Sequence, residues 1–121
     1  MVITVQERLT AIAEPSRFRI VELLREGPLS VGGIVEALGL SQPHVSRHLR
    51  LLADAGVVEA TKRAQQRIYR VRPDAMHEVS DWALGFAALW SARMDRLGSF
   101  LDDQTHDSRD RSHGGGHERE A

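Results

Sequence analysis

Residues 39–58, GLSQPHVSRHLRLLADAGVV, constrain the fold most, because this one stretch carries a helix's start, stripe and stop. Gly39 supplies a left-handed turn, Leu40 packs inward, and Ser41 caps a helix over roughly 42–54. At about 100° per residue, Val45, Leu49 and Leu52 fall within about 60° of one another and form a buried stripe. Pro43, Ser46, Arg47 and Arg50 lie opposite, with Gln42 at the open N-terminal edge. Gly56 ends the helix.

The flanking sequence supplies partners for that stripe. A helix over 31–38 precedes it, capped by Ser30 and apolar at Val31, Ile34, Val35 and Leu38. Gly32 and Gly33 weaken this helix, so tertiary packing must hold it. Two helices joined by a glycine turn make a helix-turn-helix. Upstream, Val5, Leu9 and Ile12 mark a first helix over 4–13, interrupted by Pro15 and Ser16. The second helix, about 16–26 with Ser16 as its cap, buries Ile20, Leu23 and Leu24 and stops at Gly27-Pro28. Downstream, VVEATK (57–62) and RIYRV (67–71) alternate as strands around the tip Arg63-Ala64-Gln65-Gln66, and Pro73-Asp74 opens a last helix over about 74–101. The expected fold is mainly α with a small β-hairpin: a winged helix-turn-helix ordered helix, helix, helix, helix, strand, strand, helix. It forms one domain over 1–101. The acidic, His- and Gly-containing tail, 102–121, is expected to be disordered from about residue 103.

Charge points to a partner. The whole chain carries a net charge of −1, but residues 41–72 hold 7 Lys/Arg against 2 Asp/Glu. One positive face on a near-neutral protein suffices to attract phosphate. Short side chains at the start of the fourth helix (Ser41, Gln42, Pro43, Ser46) allow close approach to base edges, and Arg47 and Arg50 can fork onto guanine or clamp phosphate. The unpaired amides of the first turn favour phosphate as well. His44 and His48 flank the buried stripe, either as DNA contacts or as half-buried hydrogen-bonded residues. In the hairpin, Lys62, Arg63 and Arg67 surround Gln65 and Gln66, matching a wing that reaches phosphates or the minor groove; the plainer reading is solubilising turn charge. Arg70 and Arg72 read as peripheral electrostatics. Double-stranded DNA is therefore the expected partner.

Other classes find less support. With no cysteine, thiol chemistry, disulfides and cysteine-ligated metal are excluded. No nucleophile–base pair or phosphate-cradling glycine loop suggests an enzyme, and Asp74, His77, Glu78 and Asp81 suit the dipole at the start of the last helix. No cofactor is called for. Without an apolar leader or a run of about 18 apolar residues, a cytoplasmic location and no membrane partner are expected. On the last helix Trp82, Phe86, Leu89, Trp90, Met94 and Leu97 recur at intervals of three and four. That is more large apolar surface than so small a core can cover, and a second copy of the chain is its natural cover.

With SQPHVSRHLRLLADAGVV followed by RIYRV, the chain resembles the ArsR/SmtB-type winged-helix transcriptional repressors over about residues 5–101. The resemblance implies a recognition helix at 41–54 and a homodimer through first and last helices, adding Val5, Leu9 and Ile12 to the interface. It also implies a palindromic operator, released when an effector binds. The family's cysteine motif corresponds to SVGGIVEAL here, without a thiol. Its Asp-x-His and His-x-x-Glu ligands correspond to Asp74-Ala75-Met76 and to Ala87, Ala88, Leu89 and Trp90, so neither metal site is kept. DWALGFAALWSARMDRLGSFL looks like the subgroup without metal ligands, whose members often act on their own promoter or a neighbouring gene. Two alternatives stand beside it. One is a protein–protein adaptor, which has no need of the Gln42/Ser46/Arg47 face; the other is a metal-responsive repressor using His106, His113 and His117, whose Gly114-Gly115-Gly116 neighbours hold no geometry cheaply.

Overall fold

Thr4 begins the first helix through a reciprocal cap: its hydroxyl accepts from the Glu7 amide at 3.1 Å, and its own amide donates to the Glu7 carboxylate at 2.8 Å. The computed structural model describes residues 2–111, with side chains through residue 102. The elements are α1 (Val5–Ala13), α2 (Pro15–Leu24), β1 (Leu29–Ser30), α3 (Val31–Leu38), α4 (Gln42–Asp54), β2 (Val58–Arg63), β3 (Gln66–Val71) and α5 (Pro73–Arg111).

The helix-turn-helix forms as its local signals dictate. Ser30 and Ser41 cap α3 and α4, accepting from the amides of Gly33 and His44 at 3.1 and 3.3 Å. Gly39 sits at φ 69° between them. At the far end of α4 the Gly56 amide donates to Ala53 and the Val57 amide to Leu52, both at 2.9 Å, which makes a Schellman motif. Gly56 is fixed there twice over, by a φ of +71° and because a Cβ would stand 3.0 Å from Ile3 Cδ1 and 3.3 Å from Arg8 Nη2.

Three details differ from the sequence-based expectation. Helix α2 is capped two residues earlier: Glu14, not Ser16, is its cap, accepting from the Arg17 amide at 2.8 Å, and Pro15 fills the first turn, where a missing N–H costs nothing. The hairpin gains a third strand, because Leu29 and Ser30 pair with Tyr69 and Ile68, giving the order β1-β3-β2. Helix α5 continues to Arg111, where an end near 101 and disorder from about 103 were expected; no glycine or proline follows Leu101 before Gly114. Residues 112–121, including His113 and His117, lie outside the described residues, while His106 lies within α5.

The chain divides into two compact units, Met1–Trp82 and Ala83–Ala121. In the first, Ile20, Ile34, Val45, Leu49, Leu52 and Val57 are completely buried and close the core with Leu24, Val58 and Tyr69. Arg8 is buried too, with Nε 3.6 Å from a Glu78 carboxylate oxygen. In the second unit α5 carries Leu84, Phe86, Leu89, Trp90, Met94, Leu97, Phe100 and Leu101, all exposed by about half. Among the described residues no helix is long and apolar enough to cross a membrane.

Candidate nucleic-acid interface

Burial of Val45, Leu49 and Leu52 fixes which way α4 faces. Ser41, Gln42, Pro43, Ser46, Arg47 and Arg50 flank its outer side, where Ser41, Gln42, Pro43, Arg47 and Arg50 are exposed and Ser46 and His44 are half-buried. The hairpin turns through Ala64–Gln65, with Arg63 opposite Gln66 and Lys62 opposite Arg67. Like charges directly opposite one another on a ladder repel, so this wing stores a positive potential that an external anion would relieve. Its turn holds Ala64 at φ 56°, a left-handed value unusual for a residue with a Cβ.

Helix and wing share one open groove of ≈ 560 Å³, in which Gln42, Ser46 and Arg50 of α4 face the same space as Gln65, Gln66 and Arg67 of the wing. Six of the side chains expected at the interface are thus brought together. Lys62 and Arg63 are exposed on β2 outside that groove's lining. Arg70 and Arg72 are engaged internally. Arg70 pairs with Glu59, and Arg72 grips Asp74 through two bonds of 3.2 and 2.9 Å, which holds the Asp74 carboxyl below its usual range. Arg47, Arg50, Lys62, Arg63 and Arg67 make no ion pair among the described residues, which leaves their charge available to an anion.

His48 departs from the expected contact face. It is 4% exposed, because its position at the flank of the stripe turns the ring into the body rather than outward. Its Nε2 lies 3.0 Å from His44 Nε2, with the rings edge to face, and its Nδ1 lies 3.3 Å from Arg17 Nη1. Glu14 Oε1 stands farther off, 3.9 Å from the same Nδ1. Arg17 is itself anchored, since Nε donates to the Ala11 carbonyl at 2.6 Å. Burial lowers the His48 pKa, opposed by Glu14 and reinforced by His44, Arg17 and Arg47. Glu14 is also lowered, chiefly by the bond from the Arg17 amide. Sequence reasoning missed Arg17 and Glu14: a contact 31 residues away leaves no local signature.

The residues expected at a dimer interface differ in exposure. Val5, Leu9 and Ile12 are half-buried, Ile12 packing against the core. Trp82, Phe86, Leu89, Trp90, Met94 and Leu97 are all exposed. The acidic residues at the start of α5 are partly engaged, Asp74 by Arg72 and Glu78 by Arg8.

A capped helix with a polar outer face, a preceding helix across a glycine turn and a cationic two-stranded wing on the same groove define a winged helix-turn-helix DNA-binding domain. The bacterial regulatory protein, arsR family, matches residues 14–60. The transcriptional repressor SdpR of Bacillus subtilis is 32% identical over 76 residues, 63% of this chain and 84% of the relative. The HTH-type transcriptional regulator NmtR of Mycobacterium tuberculosis is 35% identical over 80 residues, 66% of this chain and 67% of the relative. A crystal structure described as "Possible transcriptional regulator for arsenical resistance" superposes with a TM-score of 0.61 at 32% identity, covering 77% of this chain and 94% of that one. The chain belongs to the ArsR family and is a DNA-binding transcriptional regulator.

Proposed function

We propose that the protein is a repressor that binds a two-fold-related operator as a homodimer in the cytoplasm, placing one α4 in each of two successive major-groove segments. The observation that carries this reading is the shared groove of α4 and wing, flanked by five cations without ion pairs among the described residues. Gln42, Ser46, Arg47 and Arg50 read or clamp the major groove with Ser41, Pro43 and His44 at its near edge; Lys62, Arg63, Gln65, Gln66 and Arg67 hold the flanking backbone. Repression is the role named for the Bacillus relative and fits a protein whose bound dimer occludes a promoter. Dimerisation uses the exposed apolar residues of α5, with Val5, Leu9 and Ile12 of α1 as a further contribution.

Selection of bound duplexes from a random pool, followed by titration with the Arg47→Ala/Arg50→Ala variant, tests this. The expected results are a two-fold-related site, near-complete loss of affinity in the variant, and a log–log salt slope shallower by about 2 if both side chains meet phosphate. A variant that folds normally and binds the selected site as tightly as wild type overturns the assignment and favours a protein–protein adaptor.

A further inference from the structure

The chain of contacts Arg17–His48–His44 has a direction. A guanidinium only donates hydrogen bonds, so Arg17 Nη1 at 3.3 Å requires a bare lone pair on His48 Nδ1. Neutral His48, the form that its burial favours, then carries its proton on Nε2. That N–H donates to His44 Nε2 at 3.0 Å, which must in turn be bare. His44 therefore carries its proton on Nδ1, across the ring from the buried contact. The competing arrangement, His48 Nδ1–H toward Glu14, meets an oxygen at 3.9 Å that already accepts from the Arg17 amide, and puts two donors face to face at Arg17. His44 is half-buried in the first turn of α4, and its Nδ1 has no hydrogen-bond partner among the described residues.

We propose that Arg17, acting through buried His48, fixes the tautomer of His44 so that its Nδ1–H stands as a preset hydrogen-bond donor to an acceptor on DNA. This deepens the reading of α4 as the DNA-contacting helix and rests on it. Arg17 and His48 are positioning residues; His44 is the contact. The acceptor is a phosphate oxygen or a purine base edge, both of which take an N–H.

The ring-nitrogen resonances of the full-length, 15N-labelled protein at pH 8 test the tautomers directly. Protonated Nε2 on His48 and protonated Nδ1 on His44 are expected, and the reverse assignment overturns the proposal whatever the variants do. Arg17→Met should mix the tautomers and weaken binding of the selected operator by about 3- to 10-fold, the loss of one neutral hydrogen bond, whereas Arg17→Lys, which keeps a donor, should restore both. In a His44→Ala background, Arg17→Met should cost nothing further; an undiminished loss there means Arg17 acts structurally, and the relay is wrong. Loss spread evenly over all sequences in the His44→Ala protein assigns the bond to phosphate, and relaxed preference at one position assigns it to a base. If Arg47→Ala/Arg50→Ala abolishes binding while His44→Ala leaves it unchanged, the relay alone fails; if neither matters, the assignment of α4 fails with it.

Discussion

Helix α4 and the distal part of α5 are both amphipathic, yet one is finished and the other is not. In α4 the apolar stripe of Val45, Leu49 and Leu52 is completely covered by its own chain, and what remains outside is polar and cationic. Along α5, Leu89, Trp90, Met94 and Leu97 are each about half exposed. Covering such a stripe is worth roughly 25 cal/mol per Å² of apolar surface, so the two helices use the hydrophobic effect differently. The first uses it to fold and leaves its other face for a polar ligand. The second holds it in reserve for association, as our reading of a homodimer requires.

The contrast can be broken at its strongest point by Leu49→Ala. A fully buried leucine cut to alanine should cost about 2–5 kcal/mol in urea unfolding. Trp90→Glu should instead leave the folding of residues 2–82 intact and weaken self-association on the order of 100-fold in sedimentation, because a charge is placed where apolar cover is needed. If it lowers the melting transition as much as Leu49→Ala does, α5 is a core helix and the comparison collapses. A gentler probe is pH. Burial depresses His48 below the ordinary imidazole value of 6.5, against Glu14 and with Arg17, His44 and Arg47 around it. Its contribution to stability is therefore complete above 6.5 and is lost as pH falls through the lower folded value, since the unfolded chain takes the proton first. Melting curves from pH 8 to 5 should slope down toward acid, and His48→Asn should flatten that slope. The smallest effect concerns the wing: Ala64→Gly relieves a left-handed alanine and should stabilise by roughly 0.5–1 kcal/mol, after the added freedom of glycine in the unfolded chain, with operator affinity unchanged.

What was legible in the sequence was local. Ser30, Gly39 and Ser41 announce the ends of α3 and α4 within three or four residues, and the alternation of Val45, Leu49 and Leu52 with Ser46, Arg47 and Arg50 is enough by itself to orient the helix. What was not legible depended on partners far along the chain. Strand β1 is two residues long and exists only because Tyr69 and Ile68 arrive beside it. Pro15 reads as a break yet opens α2, because a proline at a helix start and one between helices look alike without the preceding cap. Apolar periodicity stops at Leu101, whereas the polar residues that follow continue α5 to Arg111. Periodicity gives His48 an angle but not a depth, and only the body around it, with Arg17 contributed from α2, shows the ring to be internal.

The junction between α4 and the wing has one more consequence. The Val57 amide is tied to Leu52 at 2.9 Å and its carbonyl receives the Arg72 amide at 2.8 Å, so the same residue closes the helix and the base of the hairpin. If α4 and the wing straddle a duplex as proposed, they act as a caliper whose opening is set by the fold. On that reading little ordering is left for the moment of encounter, and mismatched spacing in a duplex is absorbed by bending the nucleic acid rather than by flexing the protein.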